Sequence, residues 1–203
     1  MTTDHRDPVD FYRSHAEEFA RVRSGPSAEG TWLKSFMAEL LPSGSILDAG
    51  CGTGEPIART LVEHGFLVTG LDTTPAFLDL AREKVPDGVF LEADLRDFSL
   101  GRTFDGILAW HSLFHLGQDD QRAAIVRLAA HAAPTAVLMF TAGDREGEAI
   151  NPMFGENLYH ASLDPGEYRT ILQALGFRIL RYVERDPGAG FSTVWLARRD
   201  DTG

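Results

Sequence analysis

One segment of the chain joins an apolar strand pattern directly to a glycine-rich loop and the start of a helix. Ser45-Ile-Leu-Asp-Ala49 has the pattern of a buried strand, and the loop Gly50-Cys-Gly-Thr-Gly54 follows it without a break. Glu55-Pro56 then supplies a predicted helix start, because proline fits the first turn of a helix. This order of elements is typical of the first unit of an open α/β sheet, in which the loop and the helix N-terminus bind a cofactor.

Short β-like runs alternate with helix-patterned segments along the rest of the chain. Such alternation predicts an α/β fold with a mainly parallel sheet and helices on both faces. The last two runs are joined by a loop, 186–190, that is too short for a crossover helix, so these strands must pair antiparallel. One or two helices are expected before the first strand, around residues 11–22 and 32–41. The predicted strands are 45–49, 66–71, 89–91, 104–110, 135–141, 178–184 and 191–197, and the later helices begin near residues 55, 75, 118 and 165.

Composition and charge restrict the class of protein. The 203 residues are 43% hydrophobic, as in an ordinary globular domain, and 30 acidic against 19 basic residues give a net charge of −11. This charge argues against binding to nucleic acid or to an anionic membrane surface. No apolar run is long enough to span a bilayer, and the first residues lack the apolar segment of a signal peptide. The single cysteine, Cys51, permits no internal disulfide, so we expect a cytoplasmic protein.

The details of the glycine loop indicate which cofactor it binds. Its spacing is G-x-G-x-G, whereas the dinucleotide fingerprint is G-x-G-x-x-G. Carboxylates flank the loop, with Asp48 before it and Glu55 at the predicted first helical position, and an anion there repels a phosphate. S-adenosylmethionine has cationic groups and no phosphate. Asp72, at the end of the second strand, is placed where a carboxylate accepts hydrogen bonds from both ribose hydroxyls.

Successive motifs resemble those of class I S-adenosylmethionine-dependent methyltransferases. They are Ile46-Leu-Asp-Ala-Gly-Cys-Gly-Thr-Gly54, Gly70-Leu-Asp72, Glu92-Ala-Asp94-Leu95 and Phe104-Asp-Gly-Ile-Leu-Ala109. The resemblance implies a Rossmann-like seven-stranded sheet of order 3-2-1-4-5-7-6, in which the last strand is antiparallel. It implies one domain, with a cofactor-binding part at 45–203 and an N-terminal helical cap at 1–44. It also implies that the cofactor is held by Asp48, Gly50, Cys51, Gly52, Gly54, Asp72, Thr73, Asp94 and Leu95, with Asp94 accepting from the adenine amino group.

The N-terminal segment resembles the helix that folds over the cofactor in many small-molecule methyltransferases. On that resemblance, the Tyr12 ring covers the cofactor and Arg21 pairs with its methionine carboxylate. The alternative is an amphipathic helix that docks on the sheet and keeps its arginines in solvent. If the segment instead folds over the cofactor, it acts as a lid that excludes water from the sulfonium.

The acceptor side is predicted after the fourth strand, at the switch point of the sheet. Trp110 and His111 are expected there against the cofactor, with His111 as a general base and His115 orienting the loop. His160 is the next candidate base, and Tyr159 lies beside it in a segment expected to form part of the acceptor pocket. His111 and His115 have the spacing of a metal pair but no third ligand nearby, so no metal site is predicted. A nucleophilic Cys51 is disfavoured because no helper base accompanies it.

These features predict transfer of a methyl group to an oxygen or nitrogen atom of a small molecule by in-line attack, leaving S-adenosylhomocysteine. No nucleic-acid or membrane partner is expected, and the protein is expected to be a monomer or homodimer. One alternative is an S-adenosylmethionine-binding protein, or a cyclase or lyase that uses this cofactor without methyl transfer. Another is an NAD(P)-dependent oxidoreductase, which the loop spacing disfavours.

Overall fold

The computed structural model describes residues 7–23 and 30–201, and they form an open α/β sheet with helices on both faces. The strands are β1 Ser45–Ala49, β2 Leu67–Asp72, β3 Val89–Glu92, β4 Phe104–Ala109, β5 Ala132–Ala142, β6 Gly147–Met153, β7 Glu156–Ser162, β8 Phe177–Asp186 and β9 Ser192–Arg199. The helices are α1 Pro8–Ser14, α2 Ala16–Arg23, α3 Gly30–Ala38, α4 Ile57–Glu63, α5 Pro75–Lys84, α6 Gln118–Ala130 and α7 Pro165–Ala174, with 3₁₀ turns at Leu113–His115 and Pro187–Ala189.

Seven strands form the main sheet in the order β3-β2-β1-β4-β5-β9-β8. All neighbouring pairs are parallel except those made by β9, which runs antiparallel to both β5 and β8. The predicted order and the predicted antiparallel last strand are therefore confirmed. The last two strands carry higher numbers because β6 and β7 precede them and form a separate antiparallel hairpin, which was not predicted.

The sheet buries alternate residues of each strand on opposite faces. On one face, Leu47 packs in a core with apolar residues of α6 and α7. On the other face, Ile46 packs in a core with apolar residues of α3, α4 and α5. The period-2 alternation of a strand places these neighbours on opposite sides, so both faces of the sheet are covered by helices.

The N-terminal helices have two different roles in the packing. Trp32, Leu33 and Phe36 of α3 are buried in the sheet core, and Trp32 Nε1 donates to the Asp186 carboxylate at 3.1 Å. Helices α1 and α2 instead lie over the carboxyl ends of the central strands. Segment 30–38 thus belongs to the body of the domain, and the part of the predicted cap that lies over those strand ends is residues 7–23.

The helix after the glycine loop begins later than expected. We placed Glu55 at the first helical position, but α4 begins at Ile57 and Pro56 is its N-cap. The Glu55 carboxylate binds Arg59 at 2.8 Å and Lys84 at 2.5 Å. Glu55 thus precedes the helix, and two cations compensate its charge, so Glu55 by itself does not repel a phosphate at this loop as expected.

No described helix is both long and apolar enough to cross a membrane.

Candidate functional site

A cavity of about 720 Å³ opens at the carboxyl ends of β1, β2 and β4. Ligands of open α/β sheets bind in this position, at the switch point between neighbouring strands. The glycine loop, with the ends of β2 and β3, forms one wall. Helices α1 and α2 cover the cavity, and the 3₁₀ turn after β4 together with the β6–β7 hairpin forms the opposite wall.

The glycine loop is tied to the end of β2. The backbone N–H groups of Gly50 and Cys51 both donate to the Leu71 carbonyl, at 2.8 and 2.9 Å. Gly50 has φ +85°, and a Cβ on it would lie 2.4 Å from the Ser112 Cβ. Only glycine fits there, because the chain after β4 crosses directly above the loop. Gly54 packs on α5 and does not line the cavity, so it shapes the turn.

Two carboxylates lie beside the loop in the cavity wall. Asp48 is 1% exposed at the end of β1. The oxygens of Asp72 accept from the backbone N–H groups of Gly52 and Thr74, each at 2.9 Å. Burial raises the pKa of Asp72, while these backbone donors oppose the rise. A carboxylate fixed in this way still has lone pairs for further donors, such as hydroxyl groups of a ligand.

The other residues predicted to bind the cofactor differ in whether their polar atoms are free to contact a ligand. Thr73 and Leu95 line the cavity. Asp94 also lines it, but both of its oxygens bind the Arg96 guanidinium, with the shortest contact at 2.6 Å. Hydrogen bonds from Arg96 hold the pKa of Asp94 below its usual value. Recognition of an adenine amino group by Asp94 therefore stays a prediction, and in this structure Arg96 occupies the carboxylate.

Tyr12, but not Arg21, lies at the cavity. The Tyr12 ring packs against Phe19 and Phe77, with ring centroids 5.2 and 6.0 Å away, and its hydroxyl contacts His115 Nε2 at 2.9 Å. Arg21 is exposed on α2, its Nε donates to the Glu17 carbonyl at 3.3 Å, and it is not part of the cavity lining. The structure does not bring Arg21 to the place expected of it, because the outer face of α2 points into solvent.

His115 joins the cover of the cavity to the hairpin. Its Nδ1 is 3.3 Å from the Tyr159 carbonyl, and a carbonyl only accepts, so Nδ1 carries the proton and Nε2 accepts from Tyr12. Desolvation lowers the pKa of His115 to about 3, and the neighbouring His160 contributes. His115 is neutral at neutral pH and contacts both the cover and the hairpin, and its role in orienting the loop stays a prediction.

His111 faces the same cavity from the end of β4. It adopts φ +52°, and its backbone N–H donates to Thr141 Oγ1 at 2.8 Å. Its Nε2 lies 3.2 Å from the Ala189 carbonyl and therefore carries a proton in that contact. These contacts fix the backbone of His111 from β5 and its ring from the turn before β9. Nothing in the sequence indicated Thr141 or Ala189, since both partners come from distant segments.

The remaining candidates are placed as follows. Trp110 lines the cavity 5.3 Å from the His111 ring, and its buried Nε1 has no hydrogen-bond partner among the described residues. Burial lowers the pKa of His160, whose ring lies 4.8 Å from that of His115. Burial and the nearby Asp48 and Asp72 raise the pKa of the Cys51 thiol, which disfavours a nucleophilic thiolate. Within residues 7–23 and 30–201, no three His, Cys, Asp or Glu side chains form a group able to hold a metal ion.

Comparison with known proteins assigns the central part of the chain. Residues 46–135 match the family described as methyltransferase domain. These residues belong to the methyltransferase domain family. The matched region contains the glycine loop, both loop-side carboxylates and Trp110, His111 and His115, and therefore most of the cavity.

Curated relatives of this methyltransferase domain act on different acceptors. The chain is 41% identical over 97 residues to a dTDP-3-amino-3,6-dideoxy-alpha-D-glucopyranose N,N-dimethyltransferase of Streptomyces fradiae, covering 47% of this chain and 38% of that protein. It is 31% identical to the malonyl-[acyl-carrier protein] O-methyltransferase of Serratia marcescens, covering 78% of this chain and 66% of the relative. The chain spans between 38% and 56% of the length of three sugar N,N-dimethyltransferases that it resembles.

A solved structure shares the fold of the methyltransferase domain. The Burkholderia thailandensis 1,6-didemethyltoxoflavin-N1-methyltransferase, with bound 1,6-didemethyltoxoflavin and S-adenosylhomocysteine, superposes with a TM-score of 0.74. The alignment covers 95% of this chain and 87% of that one at 22% identity. This likeness shows that the Rossmann-like fold extends over nearly the whole chain, beyond the matched domain.

The residues of the methyltransferase domain fit S-adenosylmethionine as a group. Asp48 and Asp72 offer carboxylate oxygens, which suit hydroxyl and ammonium donors and disfavour phosphates. The backbone around Gly52 is open to the cavity below helix α2, since a Cβ on Gly52 would meet only Phe19 of that helix, at 3.9 Å. The unpartnered Trp110 Nε1 adds a buried donor in a residue of the cavity wall. Arg21, which is exposed on α2, does not join this set.

Proposed function

We propose that this protein transfers a methyl group from S-adenosylmethionine to an oxygen or nitrogen atom of a small molecule. One observation carries the proposal. A single cavity joins the glycine loop and Asp72 on one side to His111 and His160 on the other. A cofactor held at the first wall and an acceptor held at the second would share one enclosed space, which is the arrangement that in-line attack requires.

Bound S-adenosylmethionine supplies a methyl group that is already activated for transfer. The protein then has to orient the cofactor, align the acceptor and keep water away. In this proposal Asp72 and the glycine loop orient the cofactor, and Tyr12 and Phe19 cover it. His111 takes a proton from acceptors that must lose one, and it does so at Nδ1, because Nε2 donates its own proton to the Ala189 carbonyl. His160 is the alternative base.

We further propose that residues 7–23 act as a lid over the rest of the domain. Their contacts with Phe77 on one wall and with His115 on the other support this role, since closure would enclose both ligands. The sugar-amine N,N-dimethyltransferases among the relatives support a small-molecule acceptor. A cytoplasmic monomer or homodimer without a nucleic-acid or membrane partner completes the proposal, and the single buried thiol and the charge of −11 favour it.

Methyl-labelled cofactor tests the proposal. The purified protein is incubated with metabolite extracts and S-adenosylmethionine carrying a labelled methyl group, and products are followed by mass spectrometry. We expect a metabolite that gains one labelled methyl group, together with S-adenosylhomocysteine. Label retained on a thioether would indicate a cyclase or lyase. Binding of NAD without binding of S-adenosylhomocysteine would favour an oxidoreductase.

A further inference from the structure

One half of the cavity is built from rings. We define the acceptor half by six lining residues from segment 111–115 after β4 and from the β6–β7 hairpin. None of them carries a fixed positive charge. They are His111, Phe114, His115, Met153, Tyr159 and His160.

Phe114 is the centre of this ring surface. Its centroid lies 4.8 Å from that of His115, 5.2 Å from that of His160 and 5.7 Å from that of His111. These separations are those of packed aromatic pairs, which hold one another in fixed orientations. The acceptor half therefore presents a preformed aromatic wall, and a flat ring is the ligand shape that gains most from it.

The charges around the cavity disfavour an anionic ligand. Arg96 is the only lysine or arginine among the described lining residues, and Asp94 already binds it. His115 and His160 are neutral at neutral pH, because burial lowers the pKa of both. A phosphate or carboxylate would thus lose its hydration without gaining a counter-ion, which is costly. Six carboxylates also line the cavity, and while Glu55 and Asp94 are paired with cations, the other four are those of Asp7, Asp48, Asp72 and Asp120.

We propose that the acceptor is a planar aromatic molecule that carries neither a phosphate nor a carboxylate group. It stacks in the acceptor half between the 3₁₀ turn and the hairpin, with its nucleophilic atom directed towards the cofactor half. That this molecule accepts a methyl group rests on the proposed function. The preference for an uncharged ring is a property of binding and is measured separately from turnover.

Three matched probes test this preference by calorimetry. 2-Naphthol is an uncharged aromatic alcohol, 2-naphthyl phosphate adds a dianionic group to the same ring system, and decahydro-2-naphthol keeps the alcohol but loses the aromatic rings. Each is titrated into the full chain with and without saturating S-adenosylhomocysteine. We expect 2-naphthol to bind about tenfold more tightly than either of the other two.

Variants show whether binding occurs in the acceptor half. Phe114→Leu should weaken 2-naphthol about tenfold while leaving the affinity for S-adenosylhomocysteine unchanged. Tyr182→Leu, at a half-buried ring of β8 that packs on Trp195 and is not among the lining residues, is the control and should change neither. His160→Arg supplies the missing cation and should raise the affinity for 2-naphthyl phosphate at least about tenfold.

The outcomes separate this inference from the proposed function. Equal or tighter binding of the phosphate or of the saturated alcohol to the wild-type protein overturns the inference, as does failure of all three probes to bind. A Phe114→Leu variant that folds and keeps its affinity for 2-naphthol also overturns it. If S-adenosylhomocysteine does not bind but 2-naphthol keeps its preference, the proposed function fails and the inference stands.

Discussion

Replacing Asp72 by asparagine tests the cofactor half of the cavity with little change in shape. Each Asp72 oxygen already accepts one backbone N–H, from Gly52 or Thr74 at 2.9 Å. A carboxylate has about four acceptor positions, so about two remain for the ribose hydroxyls, whereas an amide has one accepting oxygen. The Asp72→Asn side chain must therefore lose either a loop contact or a ligand contact, together with the negative charge.

The expected loss follows from these contacts. A hydrogen bond to a charged group contributes about 1.5–3 kcal/mol, so losing one and weakening another should cost about 2–3 kcal/mol of binding free energy. At 1.4 kcal/mol per tenfold, the affinity for S-adenosylhomocysteine should fall about 30- to 150-fold. Because Asp72 also anchors Gly52 and Thr74, a smaller loss of thermal stability is expected as well.

Calorimetric titration with S-adenosylhomocysteine measures the effect, and thermal denaturation reports the stability of the same samples. Asp79→Asn is the control, because Asp79 is exposed on α5 and its carboxylate forms a surface pair with Arg82. Since burial raises the pKa of Asp72, wild-type affinity should also fall as the pH is lowered through that raised value, and Asp72→Asn should not show this dependence. A folded variant with wild-type affinity would refute the assignment of Asp72 to the cofactor.

Three further predictions concern the lid and the histidines. A shortened chain that begins at residue 27 should fold, because α3 stays in the core, but should bind S-adenosylhomocysteine about tenfold more weakly by calorimetry; aggregation would instead indicate a packing role for the lid. His111→Ala should lower turnover of a proton-losing acceptor by ~10²–10⁴ with little change in cofactor affinity; collapse of that affinity would assign His111 to the cofactor wall and leave His160 as the base. His115→Ala should reduce the free energy of unfolding at pH 7 by about 2–4 kcal/mol, and by less at pH 4, in denaturant titrations. The reason for the pH effect is that, between pH 6.5 and about 3, the unfolded imidazole takes up a proton that folded His115 does not, so wild-type stability falls on acidification; an equal difference at both pH values would contradict the lowered pKa.

The main sheet was predictable because each strand is a short apolar run between turn residues. The hairpin was missed for a specific reason. Its two-residue turn, Phe154-Gly155, has positive φ at both positions, a conformation that usually carries Asn-Gly or Asp-Gly. A phenylalanine at the first position hides the turn, and Pro152 within β6 weakens the strand pattern further.

The site was predictable where a residue's role depends on its own strand and loop. Asp48 and Asp72 lie at the ends of their strands and His111 lies just after β4, and all three line the cavity. Whether the Asp94 carboxylate can bind a ligand depends on the rotamer of Arg96. The exposure of Arg21 depends on which face of α2 packs against the rest of the domain. These are contacts between side chains or between segments, which spacing along the chain does not encode.

The β6–β7 hairpin forms a sheet of its own, and this has a consequence for how the protein can change. At its base, Gln118 and Gln121 of α6 donate to the carbonyls of Ser162 and Ala161. The strand pairing of the main sheet does not pass through the hairpin. Residues 147–160 can therefore be replaced by another hairpin without changing the strand pairing of the main sheet or the two glutamine contacts. Under the proposed function, such a replacement would alter the wall that faces the acceptor while the cofactor wall is retained.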